Sequence, residues 1–200
     1  MKSVLISIQP KWVELIASGK KTVEVRKTKP KIDVPFKCHI YCTKGDWLTS
    51  VNGKVQKRNK IVIDLTKDTT IQELNGMVVG EFICDKVVEF ENNCYEPAFD
   101  ETADLSCVGI KGLYEYLGTN EYGYGWHISD LVIYDKPKEL REFFHYCGDN
   151  PKCDGCEAHY FSNTECGKED YCCSIIDGCK PLKRPPQSWC YCEELKGETE

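Results

Sequence analysis

Three charged residues close to the N-terminus, Lys21, Glu24 and Arg26, form the first group whose types and spacing could do chemistry. They belong to the segment Gly19-Lys20-Lys21-Thr22-Val23-Glu24-Val25-Arg26, whose β-branched residues favour a strand. Arginine offers a planar fork of donors, glutamate is an acceptor, and lysine suits a phosphate, so the group could hold the edge of a flat polar ligand. The alternative interpretation is an ordinary solvated strand face.

Side chains alternate between the two faces of a strand. This segment therefore places Lys20, Thr22, Glu24 and Arg26 on one face, and Lys21, Val23 and Val25 on the other. Gly19 is expected to end a helix just before it, so that the charges lie where a loop delivers side chains to the rim of a pocket.

Two later stretches each carry a tryptophan: Tyr124-Gly125-Trp126-His127-Ile128 and Arg184-Pro185-Pro186-Gln187-Ser188-Trp189. A tryptophan face stacks a nucleobase with about 1–3 kcal/mol per base. We expect Trp126, His127 and Trp189 to join the charged group in one pocket for a nucleobase or nucleotide. The alternatives are a structural role for His127 and a tryptophan at position 189 that simply plugs the end of the barrel.

The elements that must position these residues follow from the hydrophobic pattern. We predict strands at residues 2–9, 20–26, 36–42, 61–65, 77–90, 126–134 and 187–195, the longest with a bend at Gly80 or at 84–86. We predict helices at 10–18 and 109–117 and one opening at 135–140, a short turn or helix at 71–74, an Asn-Gly hairpin at 51–55 and an acidic loop at 91–107. Such a mixture predicts an α+β fold, a small mixed β-barrel with two or three short helices and a cysteine-rich excursion.

The first strand Val4-Leu5-Ile6-Ser7-Ile8, the helix at 10–18, the charged strand and the two tryptophan stretches together resemble an ASCH domain of the bacterial and phage type. That family is similar to the PUA-like RNA-binding barrels. The resemblance implies a barrel over residues 1–144 that binds RNA or a modified nucleoside. Residues 145–182 then form a cysteine-rich segment, and residues 183–195 a closing strand that returns to the barrel.

The resemblance also implies an enzymatic alternative. Some small ASCH proteins are acetylcytidine amidohydrolases that use a lysine, a threonine nucleophile and a glutamate. Lys21 matches the lysine, but Glu24 stands at the threonine position, and a carboxylate does not replace a hydroxyl that must be acylated. Lys21 or His127 paired with Glu24 could still hydrolyse an amide or a phosphodiester by acid–base catalysis. If the chain is an enzyme, we expect a small hydrolase with Lys21 and Glu24 as catalytic residues.

Charge and hydropathy narrow the partners. The net charge of −6 argues against a surface coated in phosphate contacts, yet residues 20–31 hold six basic residues and one acid. A local basic face for RNA is therefore compatible with an acidic chain. No apolar run approaches the roughly 20 residues of a membrane span, and the N-terminus does not resemble a signal peptide. We expect a cytoplasmic protein without a membrane partner.

Fourteen cysteines require an explanation, and nine of them follow residue 145. The spacing of Cys147, Cys153, Cys156 and Cys166 includes one C-x2-C pair and is compatible with a structural zinc site. Glycine, asparagine and proline around them cannot build an apolar core, so a staple is expected. The alternatives are disulfides, an iron–sulfur cluster, reduced thiols, or a knob that docks a protein partner. No organic cofactor is expected.

Overall fold

The computed structural model describes residues 2–57, 70–93, 95–145 and 181–194, of Glu194 only the backbone. The strands are β1 (Ser3–Ile8), β2 (Val23–Arg26), β3 (Phe36–Cys42), β4 (Leu48–Val51), β5 (Lys54–Lys57), β6 (Ile71–Glu73), β7 (Val78–Cys84), β8 (Val87–Glu91), β9 (Tyr122–His127), β10 (Ser129–Lys138), β11 (Phe143–His145) and β12 (Trp189–Glu194). The helices are α1 (Pro10–Ala17), α2 (Pro97–Leu105) and α3 (Gly109–Leu117), with a 3₁₀ turn at Leu140–Glu142. The fold class is α+β, as predicted.

The largest sheet has the strand order β10-β7-β3-β1-β12-β11. Strand β1 pairs in parallel with β3 and antiparallel with β12, so that Leu5 lies between His39 and Cys190. The parallel pair needs a long crossover, which α1 and β2 supply. The strand at Trp189–Glu194 thus lies beside the first strand of the chain, although almost the whole sequence separates them.

Two smaller sheets complete the fold, with the orders β2-β9-β8 and β5-β4-β6. The first is built from the predicted charged strand and the Trp126 strand, which run antiparallel. The second contains the predicted Asn-Gly hairpin, in which Val51 faces Lys54 and both Asn52 and Gly53 have positive φ. That geometry is the type I′ arrangement favoured in two-residue hairpins.

The main core lies between the large sheet, α1 and Trp126. It contains the buried side chains Val4, Ile6, Ile8, Val13, Ile16, Phe36, Cys38, Ile40, Cys42, Leu48, Leu74, Val79, Phe82, Cys84 and Trp126. A second cluster lies on Leu5, Tyr41 and Phe143, and a third joins α2 and α3 to Val25 and Phe90. Strand β2 therefore lies between the main core and the helical pair.

Helix α1 begins at Pro10, where the missing N–H costs nothing, and ends before Gly19, whose φ of +72° suits glycine. The following residues 20–22 are not in a strand, because β2 begins only at Val23. The prediction that Lys21 lies on the face opposite Glu24 is wrong for this reason. The Lys21 side chain instead reaches Glu24 at 3.1 Å.

Four local predictions need correction. The acidic loop contains α2, whose Pro97 start and buried Phe99 and Ala103 at i and i+4 are a helical signal that the acidic composition hid. Residues 71–73 form an edge strand and not a turn or helix. The strand at 126–134 is two strands. The predicted helix at 135–140 is a continuation of β10, whose edge position tolerates Pro137.

The predicted strand at 77–90 breaks at Asp85 and Lys86 into β7 and β8, which belong to different sheets. The bend at residues 84–86 is confirmed. The irregularity predicted at Gly80 is confirmed as well, because the register of β7 against β3 shifts between the pairs Ile40–Gly80 and Tyr41–Val78. A Cβ at Gly80 would also lie against the Val132 carbonyl oxygen of the neighbouring strand. Only a residue without a side chain lets β7 and β10 approach so closely.

The cysteines of β3 and β7 behave as small buried hydrophobes. Cys38, Cys42 and Cys84 have no exposed surface. Burial raises the pKa of the Cys42 and Cys84 thiols to about 12 each, which disfavours the thiolate that a metal needs. Cys38, Cys42 and Cys84 are therefore core residues of the large sheet.

The predicted zinc ligands Cys147, Cys153, Cys156 and Cys166, and the predicted strand at 61–65, lie outside the described residues. The zinc site and the alternative docking knob therefore stay predictions. None of the helices in the described ranges has the length and apolar character needed to cross a membrane.

A polar network on the outer face of the large sheet surrounds Glu81. The Lys37 ammonium donates to Glu81 Oε1 at 2.6 Å and the Tyr134 hydroxyl to Oε2 at 2.7 Å. Burial opposes ionisation of the carboxyl, but these two hydrogen bonds outweigh it and hold the pKa of Glu81 below its ordinary value. His39, 1% exposed, lies 3.5 Å from the same carboxylate.

The depressed pKa of Glu81 predicts a pH dependence. A lowered folded-state pKa stabilises the protein above the unfolded pKa, about 4.3 for glutamate, and the stabilisation is lost as pH falls through the folded value. We expect Glu81→Gln to unfold more easily than the wild type in urea at pH 7. The difference should shrink in melts below about pH 4, whereas a difference that stays constant from neutral to acidic pH would contradict the assignment.

Candidate functional site

The site is built on two antiparallel strands that place matched residues on one face. Glu24 of β2 lies opposite Trp126 of β9, and Arg26 lies opposite Tyr124. Because side chains two residues apart on a strand share a face, all four project to the same side. The face combines a carboxylate, a guanidinium and two aromatic rings.

The charges form a compact buried cluster. Lys21 Nζ lies 3.1 Å from Glu24 Oε2, and Arg26 Nη2 lies 2.9 Å from Glu24 Oε1. The three residues are only 2%, 6% and 7% exposed, respectively. A solvated surface face is therefore excluded as the interpretation of these three side chains. One carboxylate holds two cations, and the cluster has a net positive charge.

Lys21 is held firmly within the fold. Its ammonium donates to the Val23 carbonyl at 2.8 Å and to the Ser106 carbonyl at 2.9 Å. Ser106 caps the C-terminal end of α2, where a cation is favoured by the helix dipole. The Glu24 carboxylate, 3.1 Å away, pairs with the same ammonium by charge. Lys21 therefore ties the α2–α3 pair to the charged strand.

Arg26 connects the cluster to the last strand. Its Nη2 donates to the Ser7 carbonyl at 2.7 Å, and its Nη1 to Ser188 Oγ at 3.4 Å. The Tyr116 hydroxyl of α3 also bonds Arg26. Burial raises the pKa of that phenol and the arginine charge acts against this rise. The guanidinium therefore joins β1, the residue before β12, and α3 at one point.

The two predicted tryptophans are brought together. Their ring centroids are 5.9 Å apart, and Trp126 also meets Phe36 edge-on at 5.6 Å. Trp126 has no exposed surface, whereas Trp189 is partly buried and its indole N–H donates to Thr28 Oγ1 at 3.1 Å. Trp189 is thus the ring closer to solvent, and Trp126 lies beneath it in the core.

His127 lies apart from this group. It follows Trp126 on β9 and so projects from the opposite face. Its Nδ1 lies 2.6 Å from Asp85 Oδ1, and this partner holds the pKa of Asp85 below its ordinary value. The structure therefore brings together Lys21, Glu24, Arg26, Trp126 and Trp189, and places His127 with Asp85.

Four further lysines contact tyrosine residues, and we call them the basic rim: Lys2, Lys27, Lys29 and Lys31. Three of these ammonium groups lie over tyrosine rings, at 4.1 Å for Lys2 over Tyr191, 5.4 Å for Lys27 over Tyr116 and 5.1 Å for Lys29 over Tyr124. The Lys31 backbone N–H donates to the Tyr191 hydroxyl at 2.6 Å. Lys29 also pairs with Glu89 at 2.9 Å, which offsets its charge.

Three contributors to the site were missed by the sequence reasoning: Ser106, Tyr116 and Ser188. Ser106 acts through a backbone carbonyl, which any residue could supply, so no sequence signal existed. Tyr116 was missed because nothing in the acidic and helical segments before it predicted that this part of the chain packs against β2. Ser188 stands directly before Trp189, in the stretch 184–189 that the sequence analysis names, so Trp189 could have indicated Ser188 as a site residue.

Comparisons with known proteins agree with this architecture. A family model described as "ASCH domain" matches residues 6–104, which include α1, the charged strand and most of α2. No curated protein sequence matches the chain. The crystal structure of ASCH from Zymomonas mobilis has a TM-score of 0.51 at 16% identity, covering 94% of this chain and 85% of that one.

Two crystal structures of single-residue mutants of the same Zymomonas mobilis protein are equally similar, with TM-scores of 0.50 and 0.52 at 16% identity. They cover 94% of this chain, and 88% and 85% of theirs. At such low identity the likeness shows the fold alone, and it confirms the expected α+β fold. Residues 6–104 match the family model, so this part of the chain belongs to the ASCH domain family.

Proposed function

We propose that this ASCH domain binds RNA, or a modified nucleoside, through the face that carries Glu24, Arg26 and Trp189. The observation that carries the proposal is that the buried ion cluster of β2 lies beside two neighbouring indole rings, Trp126 of β9 and Trp189 of β12, whose centroids are 5.9 Å apart. Such a combination supplies a donor fork, an acceptor and a flat apolar surface. These are the groups that read an unstacked base.

The basic rim supports RNA over an uncharged ligand. Lys27 lies over the Tyr116 ring and Lys2 over the Tyr191 ring, so the rim pairs cations with aromatic rings. Cations interleaved with aromatic rings suit a single strand, because the phosphates meet the ammonium groups while the bases stack. The net charge of −6 does not oppose this, since the basic residues are concentrated here.

The contacts of Lys21 bear on the hydrolase alternative. A lysine that acts as a base or nucleophile must release a proton, whereas this ammonium is held by two carbonyls and a carboxylate. We assign Lys21 to support of the cluster and not to ligand contact. The adaptor alternative depends on residues outside the described ranges and stays a prediction.

Binding of short single-stranded RNA, followed by fluorescence anisotropy, tests the proposal. We expect Trp189→Ala to weaken binding by about 5- to 150-fold, because one stacked base contributes about 1–3 kcal/mol. Trp47→Ala is the matched control, since Trp47 is 54% exposed and directly precedes β4, which belongs to a different sheet from β2 and β9. Equal binding by the wild type and the Trp189 variant would contradict the proposal.

The lysines of the basic rim are tested by the salt dependence of RNA binding. Each phosphate contact on a single strand contributes about −0.7 to the slope of log K against log salt. Lys27→Gln with Lys31→Gln is expected to make that slope shallower by about 1.4. Lys111→Gln serves as control, because that side chain is 91% exposed on α3 and lies 3.9 Å from Glu115.

A further inference from the structure

Three buried polar atoms of the site have no hydrogen-bond partner. Within the described ranges, five buried side-chain N or O atoms are unpartnered, and three of them are Glu24 Oε2, Arg26 Nε and Trp126 Nε1. Lys21 Nζ lies 3.1 Å from Glu24 Oε2 as an ion pair, without the alignment of a hydrogen bond. A buried donor or acceptor left unpaired is costly, so three on one strand pair point to a missing partner.

The register fixes the order of these three residues on the strand pair. Glu24 lies directly across from Trp126, and Arg26 follows Glu24 on the same face of the same strand. Trp126 and Arg26 are only diagonal neighbours. Glu24 is therefore the residue adjacent to both of the others, and we infer from this that the protein presents the order donor, acceptor, donor.

A ligand that satisfies all three atoms must present acceptor, donor, acceptor. The imide edge of uracil does so with O4, N3–H and O2. Cytosine places its donor at one end, and adenine has one donor beside one acceptor. Guanine presents two adjacent donors, which would need both oxygens of the Glu24 carboxylate as acceptors. One of these oxygens, Oε1, is already paired with Arg26 Nη2 at 2.9 Å, so guanine fits less well.

We propose that the site selects a uracil-type base, whose imide edge bonds Arg26, Glu24 and Trp126. The proposal rests on the proposed function of the same face. Trp126 has no exposed surface, so the base reaches its Nε1 only when the neighbouring ring of Trp189 shifts. A change in tryptophan fluorescence therefore accompanies binding.

The test uses the full chain and three single-stranded pentanucleotides that differ only at the central base: uridine, cytidine or N3-methyluridine. We expect uridine to bind about tenfold more tightly than the other two, because a matched set of base-edge contacts discriminates at that level. Methylation at N3 removes the one donor that Glu24 accepts, so it should cost as much as the change of base.

Variants assign the preference to named atoms. Glu24→Gln adds an amide donor beside the remaining acceptor, so the preference should move from uridine towards cytidine. Trp126→Phe keeps an aromatic ring and removes the indole N–H, which should narrow the uridine preference several-fold, and it serves if the Glu24 variant fails to fold. An unchanged preference in a folded variant would overturn the assignment.

The outcomes separate this inference from the proposed function. Binding of all three oligonucleotides within about twofold of one another would overturn uracil selection and leave the RNA-binding function intact. Absence of binding by every oligonucleotide would overturn both. Tenfold selection that vanishes on N3-methylation supports the imide edge.

Discussion

Replacing Glu24 with alanine is expected to lower the free energy of unfolding by about 3–5 kcal/mol, because it leaves two buried cations without their common anion. Lys21 and Arg26 are 2% and 7% exposed, so water cannot replace the carboxylate without opening the fold. Urea denaturation at neutral pH measures the loss. The same change should raise the amide-exchange rate of α2, since Lys21 holds the Ser106 carbonyl at its end.

The matched control is Glu89→Ala on the next strand but one. Glu89 also pairs with a lysine at 2.9 Å, but both side chains are about half exposed, at 46% and 50%. Solvent screens such a pair, so we expect only a small change in stability. If the Glu24 and Glu89 variants lost similar stability, the cluster would not be the buried ion network that its distances indicate.

Trp126→Ala is expected to cost a further large amount, about 3–5 kcal/mol, through loss of apolar contact and the cavity left behind. The ring is completely buried between Phe36 and Trp189, at centroid distances of 5.6 Å and 5.9 Å. Both the thermal midpoint and the urea midpoint should fall. Removing the ring also withdraws the surface that supports Trp189.

Trp47→Ala controls for the loss of an indole as such. Trp47 is 54% exposed, so its removal should change stability by no more than about 0.5 kcal/mol. A Trp126 variant that lost as little as the Trp47 variant would place the ring outside the core. If the Trp126 variant instead lost much stability, kept its fold and bound RNA more weakly, the ring would have one role in core packing and another in binding.

These two residues share a strand pair, and their effects need not add. Glu24 and Trp126 lie directly opposite each other, so the double variant should show coupling, as contacting residues do. The same cluster thus holds the fold together and carries the candidate site. For this reason, conservative changes such as Trp126→Phe and Glu24→Gln are the better probes of binding.

Much of the local structure could be predicted from sequence because its causes are local. Pro10 and Gly19 bound α1, Asn52 and Gly53 set a hairpin, and alternation marked β3 at Phe36–Cys42. The expectation that the charged group and the two tryptophans lie close together also followed from the residue types. Helix α2 and the extended course of β10 were missed, because acidic composition and Pro137 outweighed weaker packing signals.

What the sequence by itself determined is the set of groups: a mixed-charge segment, two indole rings and the family likeness they carry. Tertiary structure alone decided their arrangement. Starting β2 at Val23 turned Lys21 towards Glu24, and pairing of β2 with β9 set Trp126 opposite that carboxylate while His127 turned away. The reason is that a shift of one residue reverses the direction of every side chain on a strand. The residue at which β2 begins is set by packing against α2 and α3, and no local sequence pattern encodes that packing.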